Sequence, residues 1–277
     1  MRLLLAALVA ASGIAPNALP LGDGHLSSTP ARGTVLNCQS PPGGPGGGAS
    51  GPTPWIHGST WDSTAKPSVS GSVRWRQASY STRVSGARRT ITIGGVPTSF
   101  ATGAFPIAPS DPAYAYDRNP NSIRPRRMTF VVPASPKKKA SASCLPLGPI
   151  GVSTSGVAIY DALDAENRDA VAHEVLDACG GHPDQSGTYH LHRISPCVVA
   201  KAKGSATLVG YALDGFGIYV ERDASGALLT NSALDACHGR TSVVPWNGRR
   251  VRIYHYDATL EYPYTLGCFR GATGTVH

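Results

Sequence analysis

Apolar and polar residues alternate along several short stretches of the chain, and this alternation predicts half-buried strands. Residues 72–77 (SVRWRQ) and 89–93 (RTITI) carry it, with a turn at Gly94-Gly95 after the second. Residues 128–132 (MTFVV), closed by Pro133, form another such stretch, and 207–213 (TLVGYAL) reads as a buried strand turned by Asp214-Gly215. Residues 96–125 are rich in Pro and Asn and predict irregular backbone. A 3.6-residue period appears once. Asp164 is placed to cap a helix over 165–178, with Glu166 and Asp169 near its positive end. Ala172, Val175, Leu176 and Cys179 then share a face, and Gly180-Gly181 ends the helix.

A longer period organises the second half. GVAIY (156–160), LDAC (176–179), YHLH (189–192) and Cys197 are followed in the same order by GFGIY (215–219), LDAC (234–237), YHYD (254–257) and Cys268. The expected fold is α+β, predominantly β, with residues 151–270 an internally duplicated unit in a pseudo-twofold arrangement. Each copy carries one cysteine in LDAC and one after its Tyr-His word. That placement predicts disulfides Cys179–Cys197 and Cys237–Cys268, and leaves Cys38–Cys144 by elimination.

The N-terminus changes the setting. Met1-Arg2, an apolar run over 3–11 and the small residues 12–15 have the outline of a secretory signal. The run is far short of the roughly 20 residues that span a bilayer, so no transmembrane segment is expected. An even cysteine count without any CxxC pair fits disulfides in an exported protein, secreted or periplasmic. Residues 41–54 (PPGGPGGGASGPTP) read as a linker, so residues 16–54 are expected to be a flexible tail and 55–271 the working domain. Its part 55–150 is the basic, β-rich portion.

Charge divides the chain. Residues 1–150 carry 15 Lys/Arg against 4 Asp/Glu, and residues 151–277 carry 10 against 13. The basic half could hold an anionic polymer or cell-envelope surface. Lys137–Lys139 has no interleaved aromatics and reads as a solvated loop, which argues against specific nucleic-acid binding.

Six of the nine histidines lie between 173 and 255. On a strand, residues i and i+2 share a face about 6–7 Å apart. His190 and His192 therefore share one face, as do His255 and Asp257. If the pseudo-twofold axis joins the two strands, three imidazoles and a carboxylate converge in one shared site, within roughly 10 Å, a set suited to Zn, Cu, Fe or Mn. His182, on the CGGHP turn, is a further ligand or base. Tyr189, Tyr254 and Asp214 are candidate catalytic groups. His238, Arg240 (at the position matching His182) and the row Asp169, His173, Asp177 are softer candidates.

These motifs resemble the YHYH protein family of exported bacterial proteins. The resemblance rests on GPIGVSTSGVAIYDALDA, LDACGGHPDQSGTYHLH, LVGYALDGFGIY and YHYDATLEYPYTLGCFRG, with weaker matches at TGAFP, NPNSI and RPRRMTFVVPASP. Leu191 stands where the family word has Tyr, and Asp257 where it has His. The name implies no reaction. Three classes stay open: a metal-binding protein acting as a hydrolase or oxidoreductase, a metal-independent enzyme on an acidic polysaccharide, and a non-enzymatic envelope module.

Overall fold

The computed structural model describes residues 17–38 and 51–277. The signal-like residues 1–15 and most of the Pro/Gly linker lie outside the described residues. The chain is predominantly β, with only short helices and three disulfides. Among the described residues no helix is long and apolar enough to cross a membrane.

Three short strands come first: β1 (Ala18–Pro20), β2 (Leu26–Ser27) and β3 (Val35–Leu36). β4 (Ile56–His57) and β5 (Thr60–Asp62) follow, and β5 pairs with both β1 and β4. This corrects the expectation of a flexible tail for residues 17–38. The Gly22 N–H donates to the Asp169 carboxylate at 3.0 Å, and His173 Nε2 meets Asp23 at 2.8 Å. Leu36 N–H reaches the Gly267 carbonyl, and Cys38 is bonded to Cys144. A Cβ on Gly22 would fall 2.1 Å from the Tyr262 ring, so only glycine lets this segment lie so close.

A four-stranded sheet follows, built from β6 (Tyr80–Ser85), β7 (Arg88–Ile93) and β8 (Met128–Pro133), with β17 (Thr275–Val276) on its edge. The alternation at 89–93 is visible in β7, where Arg89, Ile91 and Ile93 are buried between less buried neighbours. Residues 72–77, expected to form a strand, make only a bridge from Val73 to Thr102. The strand forms at β6 instead, an edge strand exposed on both faces that leaves no alternation to read. Arg89 is buried. Its guanidinium lies 4.5 Å from the Tyr211 ring centre and 5.3 Å from that of Trp246, and it donates to Asn247 Oδ1 at 2.7 Å. It thereby ties this sheet to the next.

The largest sheet has eight strands. They are β9 (Pro149–Ser153), β10 (Ala158–Tyr160), β11 (Gly181–Pro183), β12 (Tyr189–Leu191), β13 (Ala206–Ala212), β14 (Gly217–Glu221), β15 (Gly239–Trp246) and β16 (Arg249–Asp257). Their order is β11-β12-β10-β9-β13-β14-β16-β15. β9 and β13 pair antiparallel at the centre, with Val152 opposite Tyr211. On one side β10 runs parallel to β12, and on the other β14 runs parallel to β16. The three disulfides join Cys179 to Cys197 and Cys237 to Cys268, as the repeat words predict, and Cys38 to Cys144, the pair left by elimination.

The expected helix over 165–178 shrinks to α1 (Ala170–His173), and its N-cap is Asp169, not Asp164. Asp164 instead accepts the N–H groups of Glu166 and Arg168, closing a turn through Asn167 at φ 61°. After His173 the backbone turns extended at Glu174. The apolar residues that suggested one helical face are buried by a folded loop, and Asp177 lies beyond the helix. Asp169, His173 and Asp177 therefore do not form a row. A second short helix, α2 (Pro196–Val199), carries Cys197.

Arg89→Ala removes two cation–π contacts and the bond to Asn247. It is expected to lower stability by about 2–4 kcal/mol, read from the midpoint of urea denaturation.

Candidate metal centre

β12 presents alternate residues to opposite faces of the sheet. The Tyr189 hydroxyl donates to Asp177 at 2.8 Å. The same carboxylate accepts the N–H groups of Gly103, Cys179 and Gly181. A Cβ on Gly181 would lie 2.3 Å from the Tyr189 ring, so the turn requires glycine there. The clamp fixes where β11 begins, and the register of β11 on β12 then sets His182 opposite His190.

On the other face the imidazoles converge. His190 Nε2 lies 3.0 Å from His192 Nε2, and His182 Nε2 lies 3.3 Å from it. Glu174, delivered by the extended residue after α1, places Oε2 at 3.1 Å from His182 Nε2 and 3.3 Å from His192 Nε2. All four side chains are buried. His190 Nδ1 faces the Thr188 carbonyl at 3.1 Å and His192 Nδ1 the Asp161 carbonyl at 2.5 Å. A carbonyl can only accept, so each Nδ1 carries the hydrogen and each neutral ring turns a bare Nε2 lone pair into the cluster. Lone pairs this close repel unless a proton or cation lies between them. Donors bound at about 2.0–2.1 Å to a tetrahedral ion are about 3.3 Å apart, so these separations fit one.

Electrostatics agree with a ligand role. Burial, and then the neighbouring His182 and His192, push His190 well below the usual histidine range, which keeps its ring neutral. Burial opposes ionisation of Glu174, but His182 and His192 outweigh it and hold the carboxyl well below its ordinary value. Its Oε2 nevertheless has no hydrogen-bond donor. For His192 burial acts downward, and pairing with Glu174 raises it overall.

The cluster opens onto a cavity of about 420 Å³, lined by the four donor residues together with Tyr160 and Asp161. Tyr160 stacks on His190 at 4.0 Å between ring centres and donates to Asp184. Asp161 Oδ2 is buried without a partner, and burial pushes this carboxyl up to about 6.

His255 and Asp257, expected to share this site, are elsewhere. They gather with Glu221, with His255 Nε2 3.6 Å from Glu221 Oε1 and 3.6 Å from Asp257 Oδ2. β12 and β16 are separated by four strands of the same sheet, about 24 Å at normal strand spacing. The repeat words were placed side by side in expectation because strand order is invisible in a single sequence. The tyrosines and Asp214 are also corrected. Tyr254 donates to Asp235 at 3.1 Å, as Tyr189 does to Asp177. Asp214 accepts the Tyr256 hydroxyl and the N–H groups of Arg270 and Gly271. All three are structural clamps, and none lines the cavity. His238 is buried against Thr259, with burial pushing it down to about 3.

Glu174, Asp161, Tyr160 and Glu221 were missed. The one available signal for Glu174 was an acidic residue inside an apolar run (AVAHEVL) that has no solvent-facing side.

Fold and site together define a disulfide-linked β protein with a buried cluster of three histidines, two of them paired with Glu174, beside a cavity. The family model described as YHYH protein matches residues 129–228, a span that holds the whole cluster. Over this segment the chain is similar to that family. No curated protein and no solved structure matches the chain.

Asp177→Ala strips four donors of their acceptor and is expected to cost about 3 kcal/mol or more, whereas Tyr189→Phe should cost about 1 kcal/mol. Thermal melts in the presence of chelator test this, since no metal then contributes.

Proposed function

We propose that this chain is an exported metalloprotein that holds one divalent transition ion, Zn, Cu, Fe or Mn, at His182, His190 and His192, with Glu174 against two of the rings, and that a remaining position facing the adjoining cavity is open to water, as a metal-dependent hydrolase requires. The observation that carries the reading is the convergence of three buried imidazoles whose Nε2 atoms face one another and Glu174, two of them fixed in that direction by their Nδ1 contacts. Burying such groups unpaired would cost several kcal/mol, and a cation removes that cost. A bound ion of this class lowers the pKa of its water or polarises a substrate oxygen. Asp161, at the cavity wall with a free oxygen and a carboxyl pushed up to about 6 by burial, would accept the proton that such a water gives up. Tyr160 holds His190 in place by stacking and borders the space for substrate.

Three disulfides suit an oxidising compartment and support export together with the signal-like N-terminus. The order of the eight-stranded sheet supports the duplication. Read inward from either edge, each half presents the same sequence of strands: the one after LDAC, the one bearing the Tyr-His word, the one bearing the end of the glycine word, and a central strand.

The test is elemental analysis of secreted, untagged protein, alongside His182→Ala and His190→Ala. Each variant is expected to lose one equivalent of metal while its chelator-treated form melts near the chelator-treated wild type. Added metal at about 100 times its dissociation constant should then stabilise the wild-type site by about 2.7 kcal/mol, a gain the variants lack. Binding should weaken as pH falls through about 6.5 and below, because protonated imidazole does not ligate. Unchanged metal content in both variants would overturn the reading.

A further inference from the structure

We propose that Glu221, His255 and Asp257 form a second, separate cation site, closed to solvent and taking a divalent ion of the Zn(II) or Mn(II) class. This site lies on the far half of the eight-stranded sheet and shares no residue with the three-histidine cluster.

Three buried groups with unused bonding capacity face one another there. His255 and Asp257 have no exposed surface, and Glu221 is buried. Neither oxygen of the Asp257 carboxylate has a hydrogen-bond donor, and His255 Nε2 has no partner. His255 Nδ1 meets the Ile253 carbonyl at 2.9 Å, so Nδ1 carries the hydrogen and Nε2 is the nitrogen turned toward the two carboxylates. Both separations from Nε2 are 3.6 Å. That is too long for a hydrogen bond, so a shared proton does not account for the arrangement. It is the edge of a tetrahedron whose centre lies about 2.2 Å from each corner, within reach of a metal–oxygen bond. Burial pushes the Asp257 carboxyl up to about 8, so a cation would take the place of its proton and give the carboxylate a charged partner at a depth where an unpaired charge is costly.

The surroundings set the chemistry. Arg240 stands opposite His255 in the strand register, as His182 stands opposite His190. Its guanidinium lies 3.5 Å from Glu221 Oε2, and Ser242 donates to Glu221 Oε1 at 2.9 Å. One imidazole is thus replaced by a cation that cannot ligate, and two carboxylates supply the remaining donors. This harder set shifts preference from copper toward manganese and zinc. The cavity beside the first cluster is not lined by any of these residues. With no cavity beside it to admit a substrate, this site is suited to holding structure.

Untagged protein stripped by chelator, dialysed against excess zinc sulfate and analysed for zinc, tests the proposal. Wild type is expected to hold two equivalents, His190→Ala one, Asp257→Ala one, and the double variant none. Because Asp257 is buried, Glu221→Gln serves as a second variant, with near-ultraviolet circular dichroism confirming its fold. It should weaken one equivalent at least tenfold. Two full-affinity equivalents in both Asp257→Ala and Glu221→Gln would overturn the second site. So would one equivalent in wild type that His190→Ala abolishes, a result that leaves the first site standing. One equivalent lost with Asp257→Ala but kept in His190→Ala would sink the first reading and sustain this one.

Discussion

The geometry of the cluster depends on one buried carboxylate. Asp177 gathers three backbone N–H groups and a tyrosine hydroxyl, and each would otherwise be an unpaired donor inside the protein. By taking the amides of Cys179 and Gly181 it shapes the turn into β11, and by taking the Tyr189 hydroxyl it binds that turn to β12. Gly103 brings the irregular segment before β8 to the same point. Asp235 repeats the device with Cys237, Gly239 and Tyr254. The disulfides Cys179–Cys197 and Cys237–Cys268 fasten the same two loops covalently.

Burial then gives the histidines their chemistry. An imidazole held away from water resists protonation, and a carboxylate between two imidazoles resists neutralisation. The two effects act on adjacent side chains, His190 held neutral and Glu174 held ionised, while pairing with Glu174 raises His192. Tyr160 and Asp161 sit where this interior meets the cavity, so polar chemistry is available only on that side.

Much of this was legible from residue patterns, for identifiable reasons. β7, β8 and β13 bury one or both faces, so their apolar periodicity survives in sequence. The cysteine pairing followed from the repeat words because each bridge is local to its copy. β6 was illegible because an exposed edge strand imposes no alternation. The long helix was a misreading because Asp164 and Asn167 bend the backbone through side-chain bonds that helical spacing cannot reveal. His182, His190 and His192 could be named from the words themselves. Their separation from His255 could not, since it depends on β9 and β13 meeting at the centre of the sheet. Glu174 was hidden by its apolar neighbours.

The Tyr-His word also bears on how such a protein can change over time. Residues of one parity in the word, Tyr189 and Tyr254, serve folding, while those of the other parity, His190 and His255, face the donors. The glycines at 181 and 239 are locked by the tyrosine rings, yet the next residue in each copy, His182 or Arg240, is free of that constraint. Mutation can therefore rewrite the ligand face without disturbing the clamp. The two halves of the sheet thus share the clamp while differing at the residues beside it, so the scaffold can stay fixed while the face it presents changes.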